Sequence, residues 1–575
     1  MKFSSFIREP LLYLLPLLLV LWYANLPSED IPNEAILTTD GNASIVKFPY
    51  KNFNAEEHKD FKISLYMKNS ALATYRIIPD DCLKKLTING EEIPVKNIHG
   101  TCDYENGFIM DLSKYLNQDE NFLEFELHNN SGTAALSLIR LPPAFWSLKN
   151  IAFCTVLILS LSLLLRKLKF SHTAVLLIAL GVFIRLVYFS YTTPFERVYD
   201  LAGHLEYIGI IANENRIPST LETWSSNHPP TYYLFGAFLS KISSNYEYLL
   251  SQFALLCSFA SLIYGVAFIK MLNLQRRFFF LSGLIFVLYP GFVLSSTRIG
   301  NDVPAYLGMF ICMCYAQMWW KRKTAKNMIF ATLGAAIAIM FKSTGIAVAG
   351  AWAVIWIIGI LYSLKIPSVK GTFACVVIML LALFAAQYRT IINFAEDEKV
   401  LVVSTERTNS ALKVKNSLGN YLYFDSKDFF TEPYPNTYQD NGGRQYFWNF
   451  IIKTSLFGEY KVWNTDFGKN LALALGVFAL FLWLISIAGI FKCDRQHIPS
   501  LIFLAFLIAS LIAARAIYPF SCLSDFRYIM PAIAPLSVFM VSGARAFNSR
   551  RLRIFSYVIL SLFCLICGLF IVGHT

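Results

Sequence analysis

Asp200 and His204 stand four residues apart in YDLAGHLEYIGI, so on a helix they share one face, with Tyr207 beside the histidine and Glu206 close by. A carboxylate and an imidazole held together can deprotonate a hydroxyl, take a cation or hydrogen-bond a sugar. Further on, His228-Pro229-Pro230 is followed by Tyr232 and Tyr233. Both clusters fall in one polar stretch, Glu196 to Leu234, wedged between hydrophobic runs where titratable groups are costly unless they act. The plainer alternative, an interfacial ion pair of Asp200 with Arg197 or Arg216, carries less weight because two polar clusters sit side by side.

A second acid, Asp302 in STRIGNDVPAYLG, opens a hydrophobic run with Pro304 in its first turn, where an acid also complements the helix dipole. Three cations follow the same pattern of polar groups at span ends: Arg298, Lys342, and Arg527 in Asp525-Phe526-Arg527-Tyr528. A Lys or Arg in a membrane cavity needs an anion, and phosphate suits it, gripped in a fork by Arg and met as a point charge by Lys. Internal pairing with Asp302 or Asp525 is an equal alternative for each cation alone and a weaker one for all three together. A divalent cation would find ligands in Asp200, His204 and Asp302, although no spacing demands one.

These residues need a scaffold. The chain has 575 residues, 55% hydrophobic and 15% charged, with apolar runs repeating near the ~20-residue length that crosses a bilayer. It reads as a polytopic α-helical membrane protein. The net charge of +12 is topogenic: seven segments between runs hold 20 Lys and Arg against two acids, Glu9 and Asp494, which marks them as cytoplasmic and excludes a nucleic-acid surface. Residues 1–27 read as an uncleaved transmembrane anchor, 28–147 as an exported domain, 148–171 as a second transmembrane helix, and 172–575 as a transmembrane core. Core spans are expected at about 172–190, 248–269, 278–297, 303–319, 327–342, 345–363, 372–388, 469–491, 499–517, 528–544 and 554–573, about 13 crossings in all. Exported loops 191–247 and 389–468 then lie on one side, the first catalytic, the second a flap in which Gly442-Gly443 hinges an amphipathic helix carrying Lys453 and Glu459. Lys342-Ser343-Thr344-Gly345 is the sole separator of two spans, as in a helix pair broken at a cavity. No internal repeat is evident, which weighs against a transporter of duplicated halves.

The exported domain has short alternating runs, FKISLYM, KKLTING, NFLEFELH and AALSLIRL, with turn signals at Asn89-Gly90 and Asn130-Ser131-Gly132. These predict an antiparallel β-sandwich. LTINGEEIPV and DLSKYLNQDENFLEFELHNNSG resemble jelly-roll modules found beside carbohydrate-active enzymes. Cys82 and Cys102 lie in this oxidising context and are expected to pair, while the other cysteines read as small buried hydrophobes.

Taken together, the acid after the first core span, then HPPTYYL, then R-x-x-N-D-x-P, then F-K-S-T-G, then D-F-R-Y-I-M-P before a late span resemble the GT-C superfamily of glycosyltransferases. The nearest likeness is to the protein mannosyltransferase and lipid A aminoarabinose transferase group, over about residues 172–575. The resemblance implies inverting transfer of a sugar from a polyprenyl-phosphate donor to a glycan, lipid or protein acceptor at the exported face. It implies Asp200 as base, Asp302 as the second acid, and Lys342 and Arg527 at the donor phosphate. The residues themselves add Arg298 beside that phosphate, and His228, Tyr232, Tyr233, Glu206 and Tyr528 as candidates about the substrates. A single Asp where eukaryotic mannosyltransferases have paired acids, and the β-domain before the core, are departures that leave the acceptor open. A transporter or flippase of lipid-linked sugars, and a non-catalytic subunit of an envelope polysaccharide system, are the rival readings. A bacterial inner membrane with a periplasmic site is the expected setting, although Asn42-Ala43-Ser44 and Asn129-Asn130-Ser131 are formal glycosylation sequons.

Overall fold

The computed structural model describes residues 32–573 other than 33, 53–54, 57, 69–73, 81, 96–100, 103–106, 113, 118–119, 131–132, 142–147, 193–199, 220–221, 224, 244–245, 364–367, 389–390, 393–409, 441–442 and 460–465. The expected first anchor lies outside these residues.

Among the described residues, ten strands form the N-terminal domain: β1 Glu34–Thr39, β2 Asn42–Lys47, β3 Tyr50–Asn52, β4 Lys59–Lys68, β5 Thr74–Pro79, β6 Cys82–Ile88, β7 Glu91–Ile93, β8 Phe108–Asp111, β9 Glu120–Asn129 and β10 Ala134–Leu141. They pair into two antiparallel sheets, β2-β1-β4-β9-β6-β7 and β3-β10-β5-β8. Alternation decides which face is buried: Phe61, Ile63, Leu65 and Met67 of β4 enter the core beside Leu123, Phe125 and Leu127 of β9. Asn89 and Gly90 both take positive φ, 52° and 85°, the turn that matches strand twist in a tight hairpin. Cys82 and Cys102 are joined by a disulfide. Lys47 at the end of β2 pairs with Glu247 of the membrane core at 2.5 Å.

The helices are α1 Leu148–Lys167, α2 His172–Tyr191, α3 Leu201–Glu214, α4 Thr231–Ile242, α5 Tyr246–Met271, α6 Arg276–Leu288, α7 Pro290–Leu294, α8 Asp302–Lys321, α9 Ala325–Phe341, α10 Ile346–Ser363, α11 Val369–Ala386, α12 Leu418–Leu422, α13 Ser426–Thr431, α14 Phe447–Phe457, α15 Asp466–Phe491, α16 Ile498–Ile517, α17 Ile533–Ala546 and α18 Arg550–Gly573. Among the described residues, eight helical stretches are long and apolar enough to cross a membrane, with Ala325–Phe341 a shorter apolar one. The protein is an integral, multi-pass membrane protein.

Three expectations need correcting. The span expected at 278–297 is broken: α6 stops at Leu288 because Pro290 cannot continue it, and Pro290 opens the short α7 instead. The buried Arg185 of α2 covers the break, donating to the carbonyls of Val287 at 3.1 Å and Phe292 at 3.3 Å, and to Ser258 Oγ at 2.8 Å. The span expected at 528–544 falls within the apolar helical stretch Ser521–Ala546, but its first turns are 3-10 rather than α, since Phe526–Ala532 holds Pro531 and the α-helix begins at Ile533. Within the proposed flap, α14 is not amphipathic. Every residue from Asn449 to Phe457 is buried, with Lys453 paired to Asp428 at 3.0 Å, so this helix is part of the core, packed on α7 and the Phe526–Ala532 segment.

Small residues let the site-bearing helices approach. A Cβ on Gly308 of α8 would lie 2.5 Å from the Ala338 nitrogen and 2.8 Å from the Gly334 carbonyl oxygen of α9. Gly308→Val is expected to destabilise the protein by about 3 kcal/mol, at the upper end for overpacking against backbone that cannot yield. Gly568→Ala, where a Cβ would meet open space, should change little. Thermal unfolding of both variants in detergent is the check, and equal losses would refute the close crossing.

Candidate active site

Asp200 starts α3 in the left-handed conformation, φ 54°, and its carboxylate makes no hydrogen bond to the helix it caps. An aspartate tolerates this backbone better than most residues, yet forgoing the cap is a cost met only where the surroundings impose it. The carboxylate reaches instead to the far end of the chain, where Oδ2 lies 2.9 Å from Arg527 Nη1.

Arg527 is fixed by its neighbours. Its amide donates to Asp525 Oδ1 at 2.9 Å, and Tyr306 of α8 donates to its carbonyl at 2.6 Å. Its Nη2 lies 3.2 Å from the Tyr528 hydroxyl, and its Nε 3.4 Å from Asp525 Oδ2. Lys342 occupies the break between α9 and the Ser343–Gly345 turn, with extended backbone, and pairs with Asp302 in the first turn of α8. Its ammonium is 4.7 Å from the centroid of the Tyr528 ring, and the Arg527 guanidinium is 5.0 Å from the same centroid. Two cations from separate elements thus border one aromatic ring, each held by a carboxylate. Internal pairing, the plainer alternative, describes Lys342 and Arg527 as they stand here.

His204 is 3% exposed; its Nδ1 is 2.9 Å from the Tyr233 hydroxyl, and Tyr233 stacks on Tyr207 at 3.9 Å. With Arg298, Gly300, Asp302 and Tyr306 it lines a small cavity. A Cβ on Gly300 would come 3.0 Å from His204 Nε2, so any larger residue here would press on the imidazole. The His228 and Tyr232 rings lie 6.2 and 6.1 Å from His204. Burial lowers the pKa of His204 to about 4, and burial together with the Lys342 charge lowers that of His228 to about 3. Both imidazoles are therefore neutral near pH 7, able to hydrogen-bond but adding no charge. For Asp200, burial pushes the carboxyl pKa up, but the Arg527 charge, with that of Lys342, outweighs it and holds it below the usual value. It stands ionised.

Asp200, His204, Asp302, Lys342, Arg527, Tyr528, His228, Tyr232 and Tyr233 come together, with Arg298 at the cavity wall. Glu206 does not: it lies on the exposed side of α3, away from the buried face of Gly203, His204 and Tyr207. The trio of Asp200, His204 and Asp302 is not a ligand set either. Each carboxylate is turned to its own cation, and no group of three His, Cys, Asp or Glu among the described residues is arranged to hold a metal ion. Arg216, once a candidate partner of Asp200, pairs with Glu214 and Glu222.

One acid here is absent from the sequence-derived site. Glu459 follows α14, is buried, and hydrogen-bonds to Asp525; burial first and that carboxylate next raise its pKa well above the usual value. The available signal was a lone glutamate directly after an 11-residue apolar helix.

The crystal structure of ArnT from Cupriavidus metallidurans bound to undecaprenyl phosphate matches 68% of this chain, with 14% identity and a TM-score of 0.40. The match spans 62% of that chain, less than two thirds of its length. No family model matches the sequence, and no curated protein does.

Chemically, the cluster offers an ionised carboxylate, two cations on one ring and neutral, buried imidazoles. That set suits holding a phosphate and taking a proton from a hydroxyl.

Proposed function

We propose that the protein is a membrane glycosyltransferase that moves a sugar from a polyprenyl-phosphate donor to an acceptor hydroxyl at the exported face, with inversion at the anomeric carbon. The observation that carries this reading is the convergence of Asp200, Asp302, Lys342 and Arg527 about Tyr528 at helix ends. The motifs that resemble the GT-C superfamily fall on these same residues. The exported face is favoured by α8: Asp302 begins this 20-residue helix, and the basic run starting at Lys321 ends it, about 30 Å away.

In the proposed reaction the donor phosphate takes the place of the two carboxylates on Arg527 and Lys342, with Arg298 beside them. Asp200, released, accepts the proton of the acceptor hydroxyl as that oxygen bonds to the anomeric carbon and the bond to the phosphate oxygen breaks. The departing phosphate keeps the electron pair, and the cations stabilise the charge that develops there. His204, His228, Tyr232 and Tyr233 order the sugar or acceptor by hydrogen bonds.

The test is to incubate the purified full-length protein with a polyprenyl-phosphate sugar and candidate acceptors and to follow free polyprenyl phosphate. Release coupled to a glycosylated acceptor is expected. A donor that stays intact while crossing between leaflets of proteoliposomes would replace this reading with a flippase.

A further inference from the structure

A second polar site lies at the other end of the bundle. Where α6 begins, α17 ends and α18 begins, Arg277, Arg545, Arg550 and Arg553 line a pocket of about 530 Å³ with Phe278 and Tyr557. The two segments that supply these arginines, 270–277 and 545–553, are separate in sequence and meet because α6 packs against both α17 and α18. The Phe278 ring is bordered by two guanidiniums, 4.6 Å from Arg277 and 4.4 Å from Arg545, and its other neighbour is the Tyr557 ring at 6.1 Å. No carboxylate lines the pocket, and none of the four arginines is in an ion pair among the described residues. The topogenic rule accounts for basic residues on the cytoplasmic side, but not for four of them from three helices lining one cavity.

We propose that this pocket binds a phosphate group, supplied by the headgroup of an anionic lipid of the cytoplasmic leaflet. Four guanidiniums gathered without an acid repel one another, and a phosphate accepting their paired N–H groups relieves that repulsion. The helices α6 and α18 both start at the pocket, so their positive dipole ends add to the same field. A lipid is favoured over a free anion because α18 continues from the arginines as an exposed apolar face, Ile554, Phe555, Val558 and Leu562, along which an acyl chain can lie. The site stands apart from Asp200 and Arg527 and does not depend on their role.

The full-length protein in detergent would be titrated with phosphatidylglycerol or phosphatidylcholine and read by native mass spectrometry. Wild type is expected to retain phosphatidylglycerol at concentrations at least tenfold lower than phosphatidylcholine. Arg545→Gln/Arg553→Gln should bring the two lipids within twofold of each other, and Arg545→Lys/Arg553→Lys should fall between. If the double Gln variant does not fold, Arg553→Gln alone, at the exposed end, takes its place with a smaller loss in the same direction. Unchanged selectivity in a folded Gln variant would overturn the proposal. Inorganic phosphate that binds as tightly as the lipid, and loses binding in the same variants, would overturn the lipid as its source.

Discussion

Arg527→Lys is expected to fold normally and to lower kcat/KM for a polyprenyl-phosphate sugar by about 10²–10³-fold, the loss seen when a donor aimed at developing charge is removed. The positive charge survives this substitution; the fork does not. Arg527 uses Nη1 toward Asp200, Nη2 toward Tyr528 and Nε near Asp525, three directions at fixed angles that one ammonium cannot serve at once. If the phosphate enters by replacing Asp200 on this fork, the cost should fall on kcat as well as KM, because the interaction strengthens as the carrier phosphate leaves. Arg527→Ala should do more harm for another reason: it would leave Asp200 and Asp525 together without the cation that offsets them, and the fold itself should suffer. Steady-state kinetics in nanodiscs, with thermal unfolding of both variants, separates the effects. A Lys variant within threefold of wild type would remove Arg527 from the donor site.

What the sequence could reveal about this site followed from how each residue is specified. Asp200, His204 and Tyr207 were legible because helical spacing puts them on one face, and Asp302 and Lys342 because charges at the ends of apolar runs are conspicuous. That Asp200 would rest on Arg527 was not legible, since a contact between residues so far apart in the chain leaves no local period to read. The same holds for Glu459, whose role depends on α14 being buried on all sides; read locally, one lysine and one glutamate at its polar positions suggest an amphipathic surface helix. Pro290 did announce a break, but a mean hydropathy that stays high across it reads as one continuous span. Arg185 shows why the break is tolerable: a charged side chain in an apolar run, which alone would suggest function, here satisfies carbonyls that the interrupted helix releases.

The resting state of Asp200 sets up the second large effect. A carboxylate held ionised by Arg527 is a weak base, so a general-base role requires that substrate binding first loosen this pair. Asp200→Asn keeps the shape and a hydrogen bond to Arg527 while removing basicity, and is expected to lower kcat by about 10²–10⁴-fold with donor affinity preserved or improved. The pH dependence of wild type carries the same argument. In the free enzyme the pKa of Asp200 is depressed, so the carboxylate stays ionised, and its ion pair stabilises the fold, until pH falls through that lowered value. Once the donor phosphate occupies Arg527, the chief depressing influence is taken up and the pKa of Asp200 rises. The acid limb of kcat, which reports the bound complex, should therefore lie at higher pH than the acid limb of kcat/KM, which reports the free enzyme. Neither histidine mimics the shift, since His204 with a pKa of about 4 and His228 with one of about 3 are already neutral across pH 5–8. Coincident limbs, or an Asn variant that keeps its turnover, would mean that Asp200 only anchors Arg527 and that the proton leaves by another route.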